Sequence, residues 1–282
     1  MDKPITPPTR WDETPLGLAT RRIGRPLWHY DTVASTMPLA HELAAQGAPD
    51  GTALVAEEQT AGRGRRGRAW QAPRGSALLC SLICRPPLPP ERLFLLVAAI
   101  GVGLCEGVER ATGLRPQVKW PNDLLLDGRK LAGVLCESRL GGAGLHHAVV
   151  GFGLNINTRP AELPDVPPGA LPPTSLAIAH GTALPYLSTV AALFAALDDA
   201  YDLLWTGREE EIRARWETRL AGRGGLVRVV TDSGEREGRF VGVGADGALL
   251  LDTTSGRECL FVGDVLLGPR PLTAPLLNDT KI

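Results

Sequence analysis

At 282 residues the chain is long enough for one large domain and a small one around a sizeable apolar core. Its 44% hydrophobic and 22% charged residues suit a globular enzyme and exclude disordered, collagen-like, coiled-coil and low-complexity classes. With Lys+Arg at 30 and Asp+Glu at 31 the formal charge is -1, which excludes a global basic field for nucleic acid, so any cationic site must be local.

The first eight residues carry neither an apolar h-region nor a small-residue cleavage site. The longest apolar stretch, 93–104, is broken by Gly101 and Gly103 and falls short of the roughly 20 residues of a bilayer span. A cytoplasmic protein without a membrane segment is expected. The cysteines, Cys80, Cys84, Cys105, Cys136 and Cys259, stand among apolar neighbours, and their odd number argues against a disulfide framework. Cys80 and Cys84 read as buried thiols, because no further Cys or His pair completes a tetrahedral zinc site.

The first thirty residues, rich in Pro and Arg, read as an arm or an edge strand. At Ser35-Thr36-Met37-Pro38 a hydroxyl cap and a first-turn proline start a helix. Leu39, Leu43 and Ala44 give that helix its stripe, Gly47 stops it, and its N-terminus suits a polar ligand. Strands are predicted at 52–57 and 77–84, separated by a long cationic loop. Pro89-Pro90-Glu91 opens a helix whose Leu93, Leu96, Val97, Ile100, Leu104 and Val108 follow the 3.6 period to Gly113. Short strands at 117–120, 124–126, 130–138 and 148–154 follow, with Asp127-Gly128 as a hairpin turn. A Pro-rich surface loop at 160–173 and helices at 186–205 and 209–220 complete an α+β domain. Beyond 222–225 the texture changes to short alternating strands at 226–230, 239–243, 248–251 and 258–262, which predict a small β-barrel. The expected division is an arm at 1–26, the main domain at 27–221, the barrel at 222–270 and a tail at 271–282.

Gly62-Arg63-Gly64-Arg65-Arg66-Gly67 has the spelling of a dinucleotide-binding turn. The residues beyond it, 69–75, form turns instead of opening a helix, and arginines would crowd a pyrophosphate meant to rest on bare backbone. Arg63, Arg65, Arg66 and Arg68 read instead as a flexible clamp on a polyanion, with a solvated charged loop as the plainer alternative. Trp70 offers an aromatic face to a ligand or packs in the core, and the sequence does not separate the two. Lys119-Trp120-Pro121-Asn122-Asp123 gathers an ammonium, an amide and a carboxylate at a strand end. Such a run can hold ATP phosphates through Lys119 and Mg2+ through Asp123, or be a salt-bridged turn. Lys130 is either an edge charge or a point charge aimed into a pocket. His146-His147 precedes a strand without a carboxylate neighbour in sequence and reads as a loop pair.

Ser35-Thr36, Gln59 with the run from Gly62 to Arg68, Lys119-Trp120-Pro121-Asn122-Asp123, Arg129-Lys130-Leu131-Ala132-Gly133 and Gly151-Phe152-Gly153-Leu154-Asn155 together resemble the biotin protein ligases in order and spacing, over about residues 27–268. The resemblance implies a mixed-sheet catalytic domain of the class II synthetase-like biotin/lipoate ligase type with an SH3-like C-terminal β-barrel. It implies that biotin is joined to AMP from ATP, with Mg2+, and that the biotinyl group then moves to one lysine of the biotin carboxyl carrier domain of acetyl-CoA or a related carboxylase.

By the same resemblance, Ser35, Thr36, Gln59, Arg63, Gly64, Arg65, Lys130 and Gly133 bind biotin. Arg63, Arg66, Arg68, Trp70, Lys119, Asn122 and Asn155 bind ATP, Asp123 organises the metal, and Arg65, Lys119 and Lys130 carry the chemistry, with Arg65 retaining the anhydride. Met37-Pro38 departs from the Asn, without proline, of many members, which puts a biotin contact at residue 37 in question. The DNA-binding domain of repressor-type members has no counterpart, so neither DNA nor a membrane is expected as a partner, and a homodimer is allowed. Lipoate or octanoate transfer is the alternative activity, although its His-bearing signature is missing. A nucleic-acid-binding module is opposed by the net charge of -1.

Overall fold

The computed structural model describes residues 9–10, 17–142, 144–166 and 170–267, so the expected tail at 271–282 and most of the arm lie outside the described residues. In chain order the elements are β1 (Thr9–Arg10), β2 (Leu27–Val33), α1 (Thr36–Ala45), β3 (Ala53–Gln59), β4 (Ala77–Cys84), α2 (Phe94–Thr112), β5 (Gln117–Lys119), β6 (Asp123–Leu126), β7 (Arg129–Gly141) and β8 (Gly144–Asn155). Then come α3 (Leu176–His180), α4 (Tyr186–Trp205), α5 (Glu209–Glu217), β9 (Leu226–Thr231), β10 (Gly234–Val243), β11 (Leu249–Thr253), β12 (Gly256–Leu260) and β13 (Asp264–Leu267). Eight strands form one sheet in the order β1-β2-β3-β4-β8-β7-β6-β5, and five form another in the order β12-β11-β10-β9-β13. Within the larger sheet β2 runs parallel to β3 and the other neighbours are antiparallel, so the fold is α+β around a mixed sheet, as expected.

Both faces of the large sheet are covered, which explains why β4 is apolar at almost every position and buried along its whole length. Leu78, Cys80, Leu82 and Cys84 share the core with α2, α4 and α5. Ile83 points the other way, into the smaller cluster formed by Met37, Ala40 and Ala44 of α1. The glycines that interrupt the apolar run of α2 have a packing role. A Cβ on Gly103 would lie 2.8 Å from the Leu197 Cα, and one on Gly107 2.7 Å from the Leu193 Cα, so the backbones of α2 and α4 meet where only glycine fits.

Several elements differ from expectation. The stretch read as an arm or an edge strand supplies the edge strand β1 at Thr9–Arg10, but Leu27–Val33, which begins within it, is an interior strand between β1 and β3. Helix α5 ends at Glu217 instead of continuing to 220, because Val118 of β5 donates to the Arg219 carbonyl and accepts from Ala221, pulling that segment into a bridge. The short helix α3, capped by Ser175, has too few residues to show a period. Strand β13 was also invisible, since among its residues only Val265 is buried. The second sheet agrees with an SH3-like unit but is not closed, with β12 and β13 at its edges. Trp120, 1% exposed, ties the two sheets together by donating its Nε1–H to the Gly247 carbonyl at 3.0 Å. Among the described residues no helix is long and apolar enough to cross a membrane.

Candidate active site

A cavity of about 780 Å³ opens over β4, β7 and β8, reached by the N-terminus of α1, the loop between β3 and β4, and β13 of the second sheet. Ser35, Thr36, Gln59, Arg63, Gly64, Arg65, Arg68, Trp70, Lys119, Asn122, Asp123, Lys130, Gly133 and Asn155 all line it. Of the expected site residues, Arg66 alone is off the wall; it turns outward, with φ 55°, to Asp232. The hairpin Asp127-Gly128 forms with both residues at positive φ, which places Lys130 at the start of β7.

One end of the cavity is neutral and polar. Ser35 caps α1, and the Thr36 amide donates to Gln59 Oε1 at 2.8 Å. The Thr36 hydroxyl is 2.7 Å from that of Ser81. Ser81 was missed in the sequence, although it is the single hydroxyl in the apolar run of β4, and a polar residue in a doubly covered strand needs a partner. Met37 is buried beside it, its sulfur packed so closely on Gly151 that a Cβ there would lie 2.7 Å away.

The other end is cationic. The loop between β3 and β4 folds back on itself, with a bridge between Arg63 and Ala69 and a 3₁₀ turn at Arg65–Gly67, and no helix follows. That geometry excludes a dinucleotide turn and holds the arginines at fixed stations. Arg65 donates to Asn122 Oδ1 at 2.8 Å, and Asn122 in turn donates to the Val134 carbonyl. Arg68 pairs with both oxygens of Asp264 at 3.0 and 3.1 Å, while Arg66 reaches Asp264 at 3.6 Å. Burial alone would raise the Asp264 carboxyl, but Arg68, with Lys119 and Arg65 behind it, holds it below the usual range. Burial pulls the Arg65 and Lys119 pKa values down, opposed in each case by Asp123 and Asp264. Asp264 lies 196 residues from Arg68, so no local pattern could have announced it.

Lys130 is not an edge charge. Its backbone is paired on both sides, with β6 and with the 172–174 segment, and its ammonium sits 2.8 Å from Asp123 Oδ1. The same ammonium lies 5.8 Å from the centroid of the Trp70 ring. Trp70 rests on the sheet at Gly153, where a Cβ would come within 2.3 Å of the indole, and its Nε1 is buried without a hydrogen-bond partner. Asn155, 4% exposed, donates to the Thr174 carbonyl at the floor.

The carboxylate of Asp123 faces Lys130 on one oxygen and Lys119 at 4.0 Å on the other. Among the described residues no group of three His, Cys, Asp or Glu side chains gathers to hold a metal ion. Asp123, expected to organise Mg2+, is flanked by two ammonium groups and fixes Lys130; a Mg2+ held by one carboxylate together with phosphate and water needs no such group of three. Among the cysteines, Cys80, Cys84 and Cys105 are buried, Cys136 is half-buried and Cys259 is exposed, all as free thiols.

His146 and His147 are not a loop pair. Both lie in β8, and His147, 3% exposed, contacts His41 of α1 at 3.0 Å. His41 reaches Glu137 of β7 at 3.3 Å, and Glu137 pairs with Arg63 at 2.8 Å. The carboxylate absent from the sequence neighbourhood is thus supplied by the adjacent strand.

Residues 30–155 match the family model described as the biotin/lipoate A/B protein ligase family. The bifunctional ligase/repressor BirA of Bacillus subtilis is 34% identical over 256 residues, which cover 91% of this chain and 78% of that protein. The biotin--[acetyl-CoA-carboxylase] ligase of Mycobacterium tuberculosis is 32% identical over 248 residues, 84% of this chain and 88% of that protein. Among solved structures, the biotin protein ligase from Aquifex aeolicus in complex with biotin and ATP superposes with a TM-score of 0.69 at 26% identity, covering 85% of this chain and 97% of that one.

Proposed function

The chain belongs to the biotin/lipoate A/B protein ligase family as one of its biotin protein ligases, and on that premise we propose how its cavity divides the labour of ATP-dependent biotinylation. The observation that carries the reading is that one cavity joins a neutral hydroxyl–amide end to a cationic end, the pattern that a polar ring head and two anionic groups require.

Ser35, Thr36 and Gln59, with Ser81 behind them, hold the polar head of biotin, and the apolar wall beyond takes its chain. Lys130, fixed by Asp123 and Trp70, meets the biotin carboxylate with Arg63, Gly64 and Gly133 around it. Lys119, Asn122, Arg65 and Arg68 receive the phosphates, Trp70 and Asn155 flank the adenylate, and Arg66 braces the loop from outside. A carboxylate oxygen attacks the α-phosphorus, the bond to pyrophosphate breaks, and the mutual repulsion of the two anions is offset by these cations, already in place before reaction. The loop then covers the mixed anhydride from water until an amine attacks its carbonyl and AMP leaves. No residue forms a covalent bond to the substrate in this scheme.

The acceptor is the lysine of a biotin carrier domain of a carboxylase, supported by the named activity of the Mycobacterium tuberculosis relative. A cytoplasmic setting suits the free cysteines. Incubation with biotin, ATP, Mg2+ and a carrier domain, followed by mass spectrometry, tests the reading: a gain of one biotinyl group is expected, and a gain only with lipoate or octanoate would overturn it. Pyrophosphate release without any carrier is expected as well, because every anionic contact belongs to this chain.

A further inference from the structure

We propose that Glu137 is a positioning residue for the arginine loop, and that its hold on Arg63 is set by the protonation of His41 through a relay of His147 and His146. The inference rests on the reading of Arg63 as a biotin contact. Its geometry is a continuous chain: Arg63 Nη2 to Glu137 Oε1 at 2.8 Å, Glu137 Oε2 to His41 Nε2 at 3.3 Å, His41 Nδ1 to His147 Nε2 at 3.0 Å, and His147 Nδ1 to His146 Nδ1 at 2.8 Å.

An ionised carboxylate only accepts, which fixes every proton in the neutral chain. His41 Nε2–H donates to Glu137, so His41 Nδ1 accepts from His147 Nε2–H, and His147 Nδ1 accepts from His146 Nδ1–H. The outer Nε2 of His146 is left with a lone pair, and His146 is exposed while His147 is buried. A proton taken up at that outer nitrogen passes inward by exchange of N–H bonds and leaves a net charge on His41, which then carries both ring protons. One proton enters and no electron moves.

The charged His41 competes with Arg63 for the same carboxylate and repels the guanidinium across it. The groups facing this pair are Glu137 and Arg139 on β7, His146 and His147 on β8, Arg85 just past β4, and Arg63 on the loop. Burial first, then Arg139 and Arg63 against the pull of Glu137, lower the His41 pKa from its ordinary value. The imidazole is neutral at neutral pH, so Arg63 is held there and released as the pH falls.

The test is the KM for biotin, measured by pyrophosphate release between about pH 5 and 8. Wild type should show KM rising about two- to fivefold with falling pH, the scale of a half-exposed ion pair, with a smaller change in kcat. His41→Gln, which keeps a donor to Glu137 and cannot titrate, should give a flat profile at the low value. Glu137→Gln should give a flat profile at the high value. Because the variants could misfold, the unmutated protein supplies a second readout: the NMR titration midpoint of His41 should move down when biotin is bound, since linkage is reciprocal. A His41→Gln profile that keeps the inflection, or a His41 midpoint indifferent to biotin, overturns the relay. Arg63→Ala separates the two levels: unchanged KM refutes the role of Arg63 itself, whereas raised KM beside a flat wild-type profile refutes only the relay.

Discussion

The two ends of the cavity are built on different principles. Thr36, Gln59 and Ser81 stand on a helix terminus and two strands that are packed on both faces, so their hydroxyls and amide are placed by the same burial that holds the sheet together. The arginines of 63–68 stand on a loop whose stations come from carboxylates and one amide supplied elsewhere: Glu137 from β7, Asn122 from the turn before β6, and Asp232 and Asp264 from the second sheet. The first end recognises a neutral group that needs an immobile frame. The second must admit two anions and then shut over their product, and a loop held by exchangeable ion pairs can trade a carboxylate for a phosphate at little cost.

If that division holds, damage at the charged end should fall on anion binding, chemistry and retention, while damage at the neutral end should fall on biotin affinity alone. The largest effect is expected for Lys130→Ala, whose charge-assisted contact is worth about 1.5 to 3 kcal/mol, a loss of roughly 10- to 150-fold in biotinyl-AMP formation. Pyrophosphate release measured beside thermal melting checks it. A fall in melting temperature that tracks the fall in rate, with biotin affinity intact, would make Lys130 structural. Next comes Arg65→Gly, expected to leave the fold and part of the adenylation in place while biotinyl-AMP escapes, read as free intermediate and as labelling of bystander lysines. Complete loss of adenylation would move Arg65 from retention to the bond-making step.

Ser81→Ala tests the neutral end. It removes one buried hydrogen bond and should weaken biotin by roughly 2- to 10-fold with kcat nearly unchanged, measured by calorimetry and steady-state rates. Asp264→Asn probes the hold of the second sheet on the loop. Arg68 is 57% exposed, so the expected change in the KM for ATP is at most about fivefold, shrinking further in high salt. A salt-independent effect would point to packing instead of charge.

A separate effect, outside both ends of the cavity, concerns stability against pH. Burial first, then the charges of His41, His146, Arg85 and Arg139, push the His147 imidazole down to about 4 from 6.5. The folded chain therefore refuses a proton that the unfolded chain accepts, and stability declines as the pH falls from about 6.5 towards about 4. Thermal melts across that window should show a shallower slope in His147→Gln than in wild type.

The sequence by itself determined the long elements, and its resemblance to a family named the candidate site residues. Periodicity marked α2, the continuous apolar run marked β4, and Asp127-Gly128 marked the hairpin, because these signals are local and the physics that writes them acts over a few residues. The motif residues were legible as a set through their resemblance to the biotin protein ligases, whereas their chemistry and spacing alone left a solvated loop, a salt-bridged turn and an edge charge open. What only the tertiary structure decided were the partners. The end of α5 was fixed by β5, Asp264 was brought to Arg68, Glu137 stood between Arg63 and His41, and two ammonium groups were gathered around Asp123. Each of these is a contact between segments remote in the chain, formed by closing the sheet and docking the second one against it. A carboxylate carries no mark of which cation will face it until the backbone has brought the two within reach.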